Sequence, residues 1–89
     1  MPYLTDAELQ ELGFKKLGKG VKISDKASIY DVDKIEIGDY SRIDDFCVIS
    51  GNVVIGKYNH ITPMCLVAGG VPGIVFGDFC MLAYGVKVF

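Results

Sequence analysis

The 89-residue chain is poor in the residues that usually announce chemistry or a partner. It has one histidine, three cysteines and no run of basic side chains. Nine Lys plus Arg against eleven Asp plus Glu leave a net charge of −2, and basic residues so scattered cannot neutralise a row of phosphates. Nucleic acid is therefore not expected as a partner. Cys47, Cys65 and Cys80 are odd in number and form no C-x-x-C pair, which argues against a disulfide framework and against a zinc site, so no metal is expected. A membrane helix is missing as well. The longest stretch without Asp, Glu, Lys or Arg, residues 58–77, has the ~20-residue length of a span but is broken by Pro63, Pro72, Gly69, Gly70, Gly73 and Gly77. The N-terminus, Met1 to Glu8, has neither the basic start nor the apolar core of a secretory signal, and a cytoplasmic location follows as the expectation. Length itself excludes a second hydrophobic core, because each half would sit near the ~40-residue limit for independent folding.

What the chain does contain is a repeat. Hydrophobic residues make up 51%, nineteen of them Ile or Val, and they are not scattered. Ile37, Ile43, Ile49, Ile55, Ile61 and Val67 fall six residues apart. After a three-residue slip Phe76, Leu82 and Val88 resume the step, and upstream Leu17, Ile23 and Ile29 share it with a two-residue slip before Ile37. A longer period lies over the first. The phrase apolar-Gly-Lys/Asp opens at Leu17, Ile37, Ile55 and Phe76, at separations of 20, 18 and 21 residues, which is three hexads plus the same slips. Tyr40, Tyr58 and Phe79 follow the last three phrases and are expected to lie over one another when the units stack.

Six-residue steps in groups of three describe a coil with three flat sides, each side a short strand, climbing about one strand spacing, ~4.8 Å, per circuit. The lattice residue and the fifth residue of each hexad point into a narrow bore. That fifth place holds Ala27, Ser41, Cys47, Val53, Cys65, Val71, Cys80 and Val86, all small or β-branched. The cysteines read as inert core fillers. Glycines at the corners are expected to supply backbone conformations that other residues resist.

This pattern resembles the hexapeptide-repeat family over residues 17–89. The stretch from Ile37-Gly38-Asp39-Tyr40 to Ile49-Ser50-Gly51 looks most like its sugar O-acetyltransferase branch. The resemblance implies an all-β, left-handed parallel β-helix, here of about three and three-quarter coils, with acetyl-CoA as co-substrate, a sugar acceptor and a homotrimeric assembly. Ahead of it, residues 1–16 form an N-terminal segment. Thr5 and Glu8 make a capping box, Leu4 and Leu9 a hydrophobic staple, and Gly13 suits the position after the last turn. A helix at about Asp6 to Leu12 is too short to stand alone, so it is expected to cap the first coil.

The family mechanism needs a histidine to take a proton from the attacking sugar hydroxyl. Phe76 to Phe89 resembles the phrase that precedes the family's catalytic histidine, so that residue is expected beyond Phe89, in mid-coil. The coils that build the coenzyme A groove are expected there too. The 89 residues accordingly read as the N-terminal part of a longer enzyme, inactive alone and binding no acetyl-CoA, with a non-enzymatic scaffold as the alternative. Within the chain, His60 is the candidate base, placed at or beside a corner. Asp44 and Asp45 are the candidate sugar-binding carboxylates, with a solvated corner as the plain alternative and Arg42 as their ion partner. Gly69 to Gly73 carries the three-residue slip. By resemblance it is an excursion toward a neighbouring subunit's cleft, and otherwise a surface bulge.

Overall fold

The computed structural model describes residues 2–89. The chain opens with helix α1 (Asp6–Leu12), whose start and stop are both written in side chains. Thr5 accepts from the Glu8 amide and Glu8 accepts from the Thr5 amide, completing the capping box, while Gly13 ends the helix with φ 82°. Leu9 is the buried face of α1 and joins the core, with Leu4, Phe14 and Leu17 packed beside it. The capping helix expected from the sequence is thus in place over the first coil. An isolated antiparallel bridge between Tyr3 and Ser24 lays the preceding residues along the first coil.

From Lys16 onward the chain winds through four circuits, each giving one strand to each of three parallel sheets. The first sheet stacks β1 (Lys16–Leu17), β4 (Ile35–Ile37), β7 (Val53–Ile55) and β10 (Ile74–Phe76). The second stacks β2 (Lys22–Ile23), β5 (Arg42–Ile43), β8 (His60–Ile61) and β11 (Met81–Leu82). The third stacks β3 (Ser28–Ile29), β6 (Val48–Ser50), β9 (Leu66–Ala68) and β12 (Lys87–Val88). The hexads give the three-sided coil, and its left hand is the one the family resemblance implies: the fold is a left-handed parallel β-helix. A 3₁₀ turn, Val32–Lys34, absorbs the two-residue slip ahead of β4.

The lattice residues of the middle coils, Ile37, Ile43, Ile49, Ile55, Ile61 and Val67, are all 2% exposed or less. Ile stacks on Ile or Val in register, Ile43 on Ile61 and Ile49 on Val67. A bore this narrow removes apolar surface from water with few residues, which is how so small a chain keeps a core. Cys47 and Cys65 fill the fifth place as expected and are buried, each donating its thiol 3.1 Å to a carbonyl of the next coil, Thr62 and Ala83 respectively.

Two expectations change. Val71 does not enter the bore: it is 90% exposed at the tip of the Gly69–Gly73 excursion, and Ile74, three residues later, pairs with Val53 in its place. The slip falls before the inward position rather than after it. The corner glycines meet the reading above only in part: Gly20, Gly51, Gly70, Gly73 and Gly85 do supply left-handed backbone, with φ from 60° to 88°. The fourth place of the hexad takes that conformation with other residues too, Tyr40, Phe46, Tyr58, Met64 and Phe79, with φ from 55° to 68°. Glycine in the second place answers a different need, closeness of the coils: a Cβ on Gly38 would lie 2.6 Å from the Gly56 carbonyl carbon. Beside these glycines, Asp39 accepts from the Lys19 amide (3.0 Å) and Asp78 from the Lys57 amide (2.8 Å), tying successive coils at that corner.

Candidate functional site

The second sheet presents a column of outward side chains set by strand register: Lys22 pairs with Arg42, Arg42 with His60, and His60 with Met81. His60 therefore stands on the flat side of the coil in β8, facing out, and not in a turn. Arg42 lies directly beneath it, one 18-residue unit earlier. Along one corner of this face runs the aromatic ladder. Tyr40 stacks on Tyr58 with centroids 5.4 Å apart, and Tyr58 on Phe79 at 5.2 Å with the rings parallel to 1°. The ladder expected from the spacing is present, its rings half exposed or more.

Asp44 sits at the opposite corner and is not solvated as expected. It is 2% exposed and gathers its neighbours. Arg42 Nε lies 3.1 Å from Oδ1 and the Tyr3 hydroxyl donates to the same oxygen at 3.4 Å, while His60 Nε2 lies 2.6 Å from Oδ2. A buried carboxylate is tolerable only with such partners, and here they come from three parts of the chain. Asp45, the other expected sugar ligand, turns away: it is half-buried and accepts from the Ser24 hydroxyl. The structure thus unites His60 with Asp44 and Arg42 and leaves Asp45 outside.

The hydrogen bonding defines what His60 can do. Nε2 is 2.7 Å from Arg42 Nη2 as well as 2.6 Å from Asp44 Oδ2, so it cannot accept from one and donate to the other with a single proton. Arg42 Nε also donates toward Nε2 at 3.1 Å, so the ring has two settings: with Nε2 bare it accepts from Arg42, and with Nε2 protonated it donates to Asp44. The second setting leaves the lone pair of a neutral ring on Nδ1, for which the described residues show no hydrogen-bond partner. A carboxylate-oriented imidazole with its second nitrogen available is the arrangement of a general base.

Next to His60 a groove of about 340 Å³ runs between the ladder and the basic column, lined by Lys22, Tyr40, Arg42, Tyr58 and His60, with Asn59 at its wall. Asn59 is a residue that the sequence reading passed over. It occupies the fifth hexad place after Ile55, is 1% exposed, accepts from the Cys80 amide at 2.6 Å, and its backbone amide donates to Ser41 Oγ. Its Nδ2 is the one buried side-chain polar atom among the described residues with no partner. No group of three or more His, Cys, Asp or Glu side chains with metal-site spacing occurs among the described residues, and no helix is long and apolar enough to cross a membrane.

Comparison with known proteins agrees with the fold and sharpens the chemistry. Residues 34–69 match the family model for bacterial transferase hexapeptide (six repeats). Over 50 residues the chain is 60% identical to a dTDP-4-amino-4,6-dideoxy-D-glucose acyltransferase of Escherichia coli, an alignment covering 56% of this chain and 26% of that protein. It superposes with a TM-score of 0.95 and 43% identity on AntD, an N-acyltransferase from Bacillus cereus in complex with dTDP and coenzyme A, covering 98% of this chain and 47% of that one. A second AntD structure, with dTDP-4-amino-4,6-dideoxyglucose and coenzyme A, gives 0.97 and 44% over 99% and 47%. This chain therefore spans about half the length of the solved relatives. The hexapeptide-repeat match spans residues 34–69, and the solved relative is an N-acyltransferase seen with dTDP and coenzyme A. AntD is an N-acyltransferase, where the sequence resemblance pointed to an O-acetyltransferase branch.

Proposed function

We propose that these 89 residues are the acceptor-facing coils of an acyl-CoA-dependent sugar N-acyltransferase, working on an amino group of a nucleotide-linked deoxysugar. The observation that carries this is the 60% identity to an enzyme of that specificity. In this reading His60 is the base. The sugar ammonium gives up a proton to Nδ1, the freed amine attacks the thioester carbonyl, a C–N bond forms as the C–S bond breaks, and the departing sulfur takes the second nitrogen proton to leave as the thiol of coenzyme A. Asp44 holds the ring and stabilises the imidazolium, a division of labour worth about 10²–10⁴-fold in other general-base sites. An amine is a stronger nucleophile than a hydroxyl, so the demand on the base is chiefly to remove the ammonium proton. By the same resemblance the enzyme works in the cytoplasm as a homotrimer, and the 89 residues alone neither bind acyl-CoA nor turn over. Size-exclusion mass tests the assembly.

The decisive experiment replaces the equivalent stretch of the Bacillus cereus enzyme with these 89 residues and measures acyl transfer from 3-hydroxybutyryl-CoA to dTDP-4-amino-4,6-dideoxyglucose. Transfer is expected, falling ~10²-fold or more in His60→Asn, with the loss in kcat. A chimera that folds and binds coenzyme A yet leaves the amino sugar untouched defeats the proposal and favours a scaffold role. Full activity in His60→Asn would remove His60 from the chemistry while leaving the specificity standing.

A further inference from the structure

Resting on the role given to His60, we propose that Tyr3 is a positioning residue for that histidine: its ring roofs Asp44 and keeps the carboxylate dry, and the dry carboxylate holds the imidazole proton on Nε2. The need for such a residue comes from the two settings of the ring. Arg42 Nε lies 3.1 Å from Asp44 Oδ1 and 3.1 Å from His60 Nε2, and Nη2 lies 2.7 Å from Nε2, so one guanidinium faces both partners. Asp44 Oδ2 lies 2.6 Å from the same Nε2. Opposite charges at nearly equal distance leave the choice to the surroundings. The Arg42 side chain is 43% exposed and its charge is screened by water, whereas that of Asp44 is 3% exposed and is not. The pull of the carboxylate therefore outweighs that of the guanidinium for as long as Asp44 stays dry. The proton then belongs on Nε2, and Nδ1 is left bare.

Tyr3 supplies that dryness. Residues 2–4 form a strap along the first coil: the Asp25 amide donates to the Pro2 carbonyl at 3.1 Å, the Leu4 amide donates to the Ile23 carbonyl at 2.8 Å, and Tyr3 bridges Ser24 between them. Strand register puts Ile23 beneath Ile43, so Ser24 lies one rung beneath Asp44 and the Tyr3 side chain starts below the carboxylate. Its far end meets Asp44. The hydroxyl donates to Oδ1 at 3.4 Å, the oxygen that Arg42 Nε also serves, and Lys22 Nζ stands 5.8 Å from the ring centroid. Burial, opposed by Arg42 and aided by Asp44, raises the Tyr3 phenol above its ordinary 10.0, so at neutral pH the hydroxyl is an uncharged donor. Arg42 and His60 are themselves partly exposed and cannot seal the carboxylate alone. The strap is the contact on Asp44 that comes from outside the coils, and through it the N-terminal residues fix the proton of a side chain two coils away.

The test is nitrogen NMR on the 89-residue chain, whose single histidine makes the imidazole signals unambiguous. At a pH where the ring is neutral, the shifts of Nδ1 and Nε2 report which nitrogen carries the proton. The unaltered chain is expected to hold it on Nε2, protected from exchange with water. Tyr3→Leu keeps an apolar side chain on the strap but falls short of Asp44, and should lower the ratio of Nε2–H to Nδ1–H about 5-fold and release the Nε2 proton to exchange. Tyr3→Phe keeps the roof and should stay within about 2-fold of the unaltered chain. The Leu4 amide reads docking of the strap separately and should remain protected in both variants. An unchanged ratio in Tyr3→Leu overturns the proposal. So does an equal loss in Tyr3→Phe, which assigns the effect to the hydroxyl, or loss of Leu4 protection in Tyr3→Leu, which assigns it to the strap as a whole. In the active chimera Tyr3→Leu should lower kcat about 5-fold with KM for the amino sugar unchanged, because the imidazolium formed in the reaction loses a dry counter-charge. Full transfer and an unchanged ratio in Tyr3→Leu defeat this inference alone; a ratio that depends on Tyr3 in a chain whose chimera cannot acylate defeats the enzymatic reading alone.

Discussion

The middle coils and the last coil obey one spacing rule and end in different environments. Between Ile37 and Val67 every lattice residue is 2% exposed or less, whereas Phe76, Leu82 and Val88 on the same lattice are only partly buried and Val75, Phe79 and Met81 around them are 69–75% exposed. The cysteines show the same contrast: Cys47 and Cys65 are buried, and Cys80, also fifth in its hexad, is intermediate. Side-chain type does not explain this. A lattice residue in a stacked coil is covered from both sides along the axis, and each of β10, β11 and β12 has a neighbour on one side only. Stability in such a fold is therefore a property of interfaces between coils rather than of coils themselves.

The largest test of that contrast compares Ile49→Ala with Leu82→Ala. The first removes three carbons from a fully enclosed stack, with Ile29 below and Val67 above, and is expected to cost about 3–4 kcal/mol. The second removes the same number from a half-covered site and should cost about 1–2 kcal/mol. Urea unfolding gives both values. Should Ile49→Ala fail to fold, Ile49→Val at about 1 kcal/mol preserves the comparison. Equal costs would mean that burial in the stack does not set the energetics.

Glycine offers a second pair, with a smaller effect. Gly38 and Gly77 occupy the same place in their hexads. A Cβ at Gly38 meets the Gly56 carbonyl at 2.6–2.7 Å and the Lys57 amide nitrogen at 2.8 Å, which no rotamer can relieve, while a Cβ at Gly77 meets nothing within 4 Å. Gly38→Ala should destabilise by about 2–3 kcal/mol through forced separation of two coils, and Gly77→Ala should be neutral or slightly stabilising because it restricts the unfolded chain. Thermal melts of the two variants decide it, and similar losses in both would point to a backbone requirement instead of crowding.

How much of this was visible in the residues follows from the same geometry. Period six identifies which positions face inward, so the bore, the ladder of Tyr40, Tyr58 and Phe79, the stacked Cys47 and Cys65 and the capping box at Thr5 were all legible. Contacts between coils are harder, because they depend on where each slip falls. Val71 was assigned inward because the three extra residues were counted after it. The burial of Asp44 was missed for a related reason: a carboxylate after a lattice residue reads as a solvated corner until its partners on other coils are known. Yet His60 and Arg42 are 18 residues apart, one uninterrupted unit, so their alignment was already implied by the spacing that stacked the cysteines. Asn59 falls to the same count, fifth after Ile55, as an amide in an otherwise apolar bore. It is accommodated there because the Cys80 amide and Ser41 supply hydrogen bonds.

The cysteines sharpen the contrast most finely, because chemistry and place in the stack can be separated. Burial pushes the Cys47 thiol above its ordinary value near 9.0, since a thiolate in the bore would be stripped of water, and backbone hydrogen bonding at Cys65 and Asp44 offsets only part of that rise. The unfolded chain then releases the proton at lower pH than the folded one. The thiol's contribution to stability is accordingly complete below the unfolded value and declines as pH rises through the window between the unfolded and folded values, by at most about 1.4 kcal/mol per pH unit. Cys47→Ala should flatten that alkaline decline, read from thermal melts across the pH range. Thiol labelling adds an independent reading. Cys80 should react in the native state, and Cys47 and Cys65 only as fast as the coils open, because both sulfurs are buried out of a reagent's reach. If Cys47 labels as quickly as Cys80, the middle coils separate far more readily than their complete burial implies, and the difference between the two regions is one of average structure without a matching difference in local stability.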